Sequence, residues 1–320
     1  MLNEYGETYA YNLTQLGLET KFVRAVSSPL GNTFYFNLVN ISQYYESFIK
    51  NLIKKLSVFH HREMEFVATK ESHFAIFCKN EQSTLLLSQI LNKRSINIGK
   101  DINGRVVSID FNKAPHLLIA GTTGSGKSVL LHTLLVNILN YYGSRTQLVL
   151  IDKKGTELVA FKNCRNTTFV GNNTQKAISV LQQCEKIMDD RYRNGGYYHH
   201  EIFIVIDELA DLILTSHYEV ENSLVRIAQL GRACGIHLLV STQSPRVQVC
   251  TGLLKSNLPY RICLKTTSVR ESVVVFDKKG CETLRGNGDC YVKLGLEEIH
   301  TQIAYCDKYL ENNIITINKG

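Results

Sequence analysis

Residues 115–128 read PHLLIAGTTGSGKS, and no other stretch of the chain limits its fold so tightly. His116 to Ala120 is an apolar run of strand length that leads directly into Gly121-x-x-x-x-Gly126-Lys127-Ser128. Leu130, Leu131, Leu134, Leu135, Ile138 and Leu139 then repeat at helical spacing. A strand, a glycine turn and a helix in this order form a cradle for an anion. Gly121, Gly124 and Gly126 allow backbone conformations that a side chain forbids, so successive N–H groups can point inward. The helix that follows adds its N-terminal partial charge at the same place. Lys127 supplies a full positive charge for the β and γ phosphates of a nucleotide, and the Ser128 hydroxyl is placed to ligate Mg2+. ATP with Mg2+ is therefore the expected ligand, with Gly121, Thr122, Thr123, Gly124, Ser125, Gly126, Lys127, Ser128 and Val129 as its contact set. The bland alternative is a glycine-rich turn that holds nothing; the strand before it and the helix after it weigh against that.

The chain has 320 residues, 44% of them hydrophobic, enough for two domains or one large one. Beyond 115, strands expected at 116–120, 147–152, 167–170, 202–207, 236–242, 259–264 and 289–293 alternate with helices at 127–140, 174–192, 218–233 and 269–276. Near-continuous apolar strands separated by helices imply a mostly parallel sheet covered on both faces, with ligands at the carboxyl ends of its strands. Upstream, strands at Thr33–Leu38, Glu65–Ala68 and His73–Cys78, a basic amphipathic helix at Ile41–Leu56 and a short helix near Leu85–Leu91 read as a small α+β domain, followed by an extended piece at Arg105–Asp110. The expected organisation is a lead-in at 1–20, a small α+β domain at 21–112, an α/β domain at 113–305 and a C-terminal tail at 306–320. The nine cysteines are odd in number and never reach CxxC spacing, which suits buried, reduced thiols of a cytosolic protein. No run of about 18 apolar residues exists, and MLNEYGETY lacks the regions of a signal peptide. A soluble chain without a membrane segment of its own is expected.

Glu201-Ile-Phe-Ile-Val-Ile-Asp207-Glu208 is an apolar strand that ends in two carboxylates. In a nucleotide hydrolase Asp207 would hold the Mg2+ through its water shell, and Glu208 would polarise the water that attacks the γ-phosphate. Two acids at a strand end also fit a plain helix cap. Ser241-Thr242-Gln243 closes another strand, where the Gln243 amide can sense the γ-phosphate. Charge developing on a transferring phosphoryl group calls for a further cation in cis or in trans, and Arg232 and Arg261 are the candidates, followed by Lys265 and Arg270. Residues 241–280 carry seven lysines and arginines against two acids, which favours a polyanionic partner.

These motifs together carry a family resemblance. PHLLIAGTTGSGKSV, LVLIDKKGTEL, IFIVIDELADLIL, RIAQLGRACGIHLLVSTQSPRVQVCTGLLKSNLPYRI and GCETLRGNGDCYV resemble, in order and spacing, the FtsK/SpoIIIE family of hexameric DNA translocases. The upstream INIGKDINGRVVSIDFNKAPHLL resembles the lead into that family's motor. The resemblance implies a RecA-like P-loop ATPase that hydrolyses ATP at subunit interfaces of a homohexameric ring and threads double-stranded DNA. It maps the family's Asp-Pro-Lys element onto Asp152 and Lys154, with Lys153 in place of proline, and puts Ser244 where the family has an arginine; Arg246 is nearby. In place of the family's long basic insertion, only Asp190 to His200 links the neighbouring elements. Arg191 and Arg193 on that link are the first candidates for tracking the phosphate backbone. A cytoplasmic motor for transfer or partition of a plasmid or mobile element, recruited by a membrane or accessory partner, is the expectation. The alternatives are a protein-export motor resembling the type VII secretion ATPases, and a nucleotide-gated DNA-binding assembly protein that does not translocate.

Overall fold

The computed structural model describes residues 2–43, 45–80, 83–196, 198–216 and 218–319. The chain forms two compact units, Met1–Thr84 with Lys100–Val106, and Leu85–Gly99 with Val107–Gly320. This division differs from the boundary expected at 112/113, because residues 85–99 and 107–112 supply strands to the larger unit.

The smaller unit is an antiparallel sheet with two helices. Its elements are α1 (Leu2–Gln15), β1 (Thr20–Ser27), β2 (Gly31–Leu38), α2 (Glu46–Phe59), β3 (Met64–Val67) and β4 (Phe74–Lys79), with strand order β1-β2-β4-β3. Helix α2 buries Ile49, Leu52, Ile53 and Leu56 at the spacing of one helical face. It starts at Glu46, after a 3-10 turn at Ile41–Gln43, and so later than its apolar pattern suggests. The lead-in is an integral part of this unit, since α1 buries Tyr9 and Leu13 in the same core as Phe34, Phe36 and Phe74. Strand β1 went unanticipated because an edge strand such as TKFVRAVS, mostly exposed or half-buried, shows no apolar alternation.

Apart from Lys100, Asp101 and Val106, which fall in the smaller unit, the larger unit holds β5 (Ile96–Asp101), β6 (Val106–Ile109), β7 (His116–Ala120), α3 (Lys127–Tyr142), β8 (Thr146–Ile151), β9 (Thr167–Val170), α4 (Thr174–Arg193), β10 (Glu201–Ile206), α5 (Leu209–Ser216), α6 (Tyr218–Leu230), β11 (Ile236–Thr242), α7 (Gly252–Asn257), β12 (Tyr260–Leu264), α8 (Val269–Phe276), β13 (Asp289–Leu294), β14 (Glu297–Ile303) and α9 (Lys308–Ile317). Among the described residues the sheet runs β6-β5-β14-β13-β12-β7-β11-β10-β8-β9. The six strands from β12 to β9 in this order are parallel, whereas β13 and β14 pair antiparallel. Side chains alternate across the sheet. Leu117, Ile119, Phe203, Val205 and Leu239 enter one core with α3, while Leu118, Ala120, Ile204, Ile206 and Val240 enter the other with α4 and α6.

Helix α3 is buried nearly all round, as a helix with neighbours on both sides must be. Its outer side is covered by α9, which occupies the stretch expected as a tail. Asn137 ties α3 to β5, donating to Asn97 O at 3.0 Å and accepting from Asn97 N at 3.0 Å. The short helix expected at 85–91 is a single 3-10 turn, Leu87–Gln89. Among the described residues no helix is long and apolar enough to cross a membrane.

His116, the first residue of β7, is buried, and its Nδ1 accepts from Leu238 N at 3.1 Å. Burial, and after it the neighbouring His237, pushes its pKa from the ordinary 6.5 down to about 3. Between those values the unfolded chain binds a proton that the folded chain refuses, so this group's contribution is complete above pH 6.5 and is lost as pH falls towards 3. His116→Gln keeps an acceptor for Leu238 and removes the titration. Thermal melts from pH 7 to 4 should fall less steeply for this variant than for the natural chain.

Candidate functional site: a phosphate loop at the carboxyl edge

The parallel sheet brings the ends of β7, β8, β10, β11 and β12 to one edge. Strand β7 lies between β11 and β12, so the loop that leaves it emerges where the chain runs to either side. Thr242 O accepts from Gly121 N at 3.2 Å and Lys265 O accepts from Thr122 N at 2.9 Å, which fixes the loop's start to both flanking strands. Gly124 (φ 77°) and Gly126 (φ 102°) then take left-handed conformations that favour glycine.

A turn at 286–288 braces the loop from outside. Asn287 N donates to Gly124 O at 3.2 Å, and Gly288 N to Ser125 O at 2.7 Å. With the Ser125 carbonyl drawn outward, the trans peptide turns the Gly126 N–H the opposite way, into the loop. The first N–H groups of α3 add to it, since a helix start leaves them without intrahelical partners. The brace is held in turn by Gln302, whose side chain donates to Asn287 O at 2.8 Å, and by Ile303 N, which donates to Gly288 O at 2.8 Å. A Cβ on Gly126 would lie 2.4 Å from Gly288 N, so the two backbones touch.

Inside the loop, Lys127 is 3% exposed, with Nζ 2.5 Å from Asp207 Oδ1 and 3.4 Å from Ser241 Oγ. Burial raises the pKa of Asp207; Lys127 opposes that shift, and the nearby Glu157 and Asp152 add to it. Glu208 is also buried. Its Oε1 accepts from Thr242 Oγ1 at 2.6 Å and from Ala210 N at 3.2 Å, and its Oε2 accepts from Gln243 N at 2.8 Å. Glu208 therefore caps the start of α5 and is locked to the end of β11 at once. Gln243 reaches the rim of the loop, accepting from Thr123 Oγ1 at 3.3 Å. Lys127, Asp207, Glu208 and Gln243 thus converge from three elements, and Ser128 stands half-buried in the first turn of α3. Among the described residues no cluster of three or more His, Cys, Asp or Glu side chains is arranged to hold a metal. The Ser128 hydroxyl and the Asp207 carboxylate are oxygen donors of the hard kind that Mg2+ takes one or two at a time from a protein.

Other expected residues are placed differently. Arg261, a candidate for delivery to a neighbouring subunit, is an internal anchor: 7% exposed, it donates to Val275 O at 3.0 Å and Leu258 O at 3.2 Å, and pairs with Asp277. Reaching another subunit would break all of these contacts. Arg232 is exposed beyond α6, with Nε donating to Asn112 O at 3.0 Å. Arg191 is also committed, to the carbonyls of Cys234, Gly235 and His200, with its guanidinium over the Tyr198 ring. Arg193 remains exposed beside Asp190, and Tyr197 of the same link lies outside the described residues. Asp152 accepts from Gly155 N, Glu157 N and Leu158 N and so shapes the loop after β8, while Lys153 ties α4 to α5 through Thr174, Asp211 and Thr215. Ser244 and Arg246 line a groove of 670 Å³ with Arg270.

A phosphate loop entered from a central parallel strand, with a lysine, an acidic pair and a polar strand end converging on it, defines a RecA-like P-loop ATPase fold. Residues 91–194 and 198–247 match the model of the FtsK/SpoIIIE family. The chain is 39% identical over 241 residues to a DNA translocase FtsK of Campylobacter jejuni subsp. jejuni (66% of this chain, 26% of that protein). It is 38% identical over 253 residues to a DNA translocase FtsK of Helicobacter pylori (70% and 30%). Through this motor region the chain belongs to the FtsK/SpoIIIE family, and it spans 26–30% of the length of those two relatives. In fold it is similar to the pCW3 conjugation coupling protein TcpA in its monomer form with ATPγS (TM-score 0.70, 22% identity, 99% of this chain and 100% of that one). It is also similar to the cytoplasmic domain of the Thermomonospora curvata type VII secretion ATPase EccC (TM-score 0.62, 25% identity, 72% and 31%).

Gly288→Ala tests the brace. Its φ of 87° strains any side chain, and a Cβ there would lie 2.9 Å from Gln302 Nε2. Nucleotide affinity, measured by titration with a fluorescent ATP analogue, should weaken by roughly tenfold. Unchanged affinity would show that the loop holds its shape without the turn.

Proposed function

We propose that this chain is an ATP-dependent double-stranded DNA translocase motor that acts in the cytoplasm as a homo-oligomeric ring, a hexamer by family analogy, in DNA transfer or partition of a plasmid or mobile element. The observation that carries the reading is the convergence of Lys127, Asp207, Glu208 and Gln243 on the braced loop. It is supported by relatives named as DNA translocases and by a conjugation coupling protein of the same fold.

In this reading the N–H groups from Gly121 to Val129 bind the phosphates, and Lys127 exchanges Asp207 for the β and γ phosphates. Asp207 and the Ser128 hydroxyl are the residues that would hold Mg2+, which would supply charge neutralisation on the phosphates. Glu208, its carboxylate oriented by Thr242 and the Gln243 backbone, accepts a proton from the attacking water. The Gln243 side chain, already at the loop rim beside Thr123, reports the γ-phosphate to the segment 244–249 that follows. Arg232 precedes β11 at the amino end of the parallel strands, the edge opposite the loop. Any phosphate it reaches therefore belongs to another subunit. Arg193, Arg246 and Arg270, all exposed, are the side chains offered to a phosphate backbone.

The test is ATPase turnover with and without double-stranded DNA, measured alongside oligomer mass. DNA should stimulate turnover, and Lys127→Ala should abolish it. Glu208→Gln should still bind ATP but turn over at least ~100-fold more slowly. Turnover indifferent to DNA but raised by a secretion signal peptide would establish a protein-export motor instead. DNA-stimulated hydrolysis that never displaces a triplex-forming strand would leave only a nucleotide-gated binder. Mixing Arg232→Ala with Lys127→Ala subunits should restore part of the activity, since each variant then supplies what the other lacks at a shared interface.

A further inference from the structure

Arg232 stands on a short turn, Gly231–Cys234, between α6 and β11. A side chain that acts on another subunit is displaced by any shift of the backbone carrying it, and about 1 Å of misplacement costs on the order of a hundredfold in rate. The end of a helix leaves carbonyls without intrahelical partners, so what holds such a turn must come from elsewhere in the chain. Here it comes from one neighbour, the last turn of α4. At the near end the Tyr192 hydroxyl donates to Leu230 O at 2.9 Å. At the far end Arg191 Nη1 donates to Cys234 O and, at 3.4 Å, to Gly235 O. Two adjacent side chains of one helix thus bracket Arg232.

The grip fixes the backbone and leaves the side chain of Arg232 open. Nη2 of Arg191 donates to His200 O at 2.9 Å, and its guanidinium lies 5.0 Å from the centre of the Tyr198 ring, so the fork is held in one orientation. That planar fork reaches three carbonyls at once, which a lysine ammonium on its flexible stem does not reproduce. Cys234 Sγ contacts Met188 O at 3.6 Å, a further tie from the turn to α4. Gly235 ends the turn in the left-handed region (φ 61°), and a Cβ there would lie 2.3 Å from the Tyr198 ring. The link that follows α4 therefore packs directly on the turn's backbone. Arg232 itself is exposed at a cavity of 420 Å³, and among the described residues its bond is the one from Nε to Asn112 O at 3.0 Å. A firmly held backbone with an open side chain suits delivery to another subunit, because little has to be ordered when the partner arrives.

We propose that Arg191 and Tyr192 are positioning residues for the trans-acting cation: they hold the turn at 230–235 so that Arg232 meets phosphates bound by another subunit. The proposal rests on the reading of Arg232 as that cation, and the experiment separates the two. DNA-stimulated turnover and ATPγS affinity are measured for the natural chain, Arg232→Ala, Arg191→Ala, Arg191→Lys and Tyr192→Phe, and turnover again for equal mixtures of variants. Arg191→Ala should lower kcat at least ~10-fold while its ATPγS affinity stays within about twofold, since its own phosphate loop is untouched. Arg191→Lys should fall between Arg191→Ala and the natural chain, and Tyr192→Phe, which loses only a hydroxyl, should lower kcat several-fold. The mixtures decide between positioning and general damage. Arg191→Ala mixed with Lys127→Ala should regain part of the turnover, because one variant supplies the loop and the other the cation. Mixed with Arg232→Ala it should regain none, because every interface then lacks a delivered cation. The same mixtures made with Tyr192→Phe carry the test should Arg191→Ala not fold. Recovery in the mixture with Arg232→Ala, no recovery with Lys127→Ala, or full turnover by both Arg191→Ala and Tyr192→Phe would overturn the positioning role. Full turnover by Arg232→Ala would instead overturn the reading of Arg232 as the trans-acting cation, and the positioning role with it.

Discussion

The contact on which the site depends is a buried ion pair, Lys127 on Asp207, at the edge where the parallel strands end. Such a pair is a poor source of stability. Taking both charges out of water costs several kcal/mol, and their attraction in the interior returns that only when hydrogen bonds satisfy the remaining atoms. The upward shift of Asp207 records this cost, since burial outweighs the effect of a lysine at 2.5 Å. In the proposed reading the phosphates of a nucleotide, with more negative charge than one carboxylate, take the lysine and release Asp207. In that reading the pair is a poised exchange and not a clamp on the fold.

That exchange needs a loop that keeps its shape whichever partner Lys127 has. Several segments far apart in the chain supply this rigidity. Thr242 and Lys265 hold the start of the loop, the turn at 286–288 draws the carbonyls of Gly124 and Ser125 outward, and α3 anchors its end against α9 and β5. The brace is itself tied to the β13–β14 hairpin through Gln302 and Ile303, so the antiparallel edge of the sheet has a mechanical role in the site. On the other side, Glu208 links the carboxyl edge to α5 and to the strand end that carries Gln243. Gln243, at the loop rim, is joined by a short covalent path to the groove lined by Ser244, Arg246 and Arg270.

Most of the central sheet was legible because its strands are buried on both faces. The cores of these strands, LLIA, IFIVI and LLV, are apolar without interruption, and a strand covered on both faces stabilises such runs between helices. Once those strands are parallel, their carboxyl ends must share an edge, which is why Lys127, Asp207 and Gln243 could be grouped from sequence. Edge and capping elements were less visible. Strand β1 is mostly exposed, β5 packs through Asn97 as well as through isoleucines, and α9 declares itself only by covering α3. The arginines misled for a related reason. A guanidinium looks the same in sequence whether it faces solvent or, as with Arg261 and Arg191, satisfies buried carbonyls brought close by turns elsewhere in the chain.

The sequence by itself determined the class of ligand, the helix that holds it and the acids that face it, because each of these follows from local order: strand, glycine turn, lysine, helix, and an apolar strand closed by two carboxylates. Only the tertiary structure decided what keeps the loop in shape. The brace at 286–288 lies about 160 residues from Gly126, a separation shown by their numbering, and α9 lies farther still. Their relation to the loop is a matter of strand order, since β13 and β14 return antiparallel beside β12 and carry the chain's end back over α3. No local propensity encodes that return; it follows from burying α3 and closing the sheet.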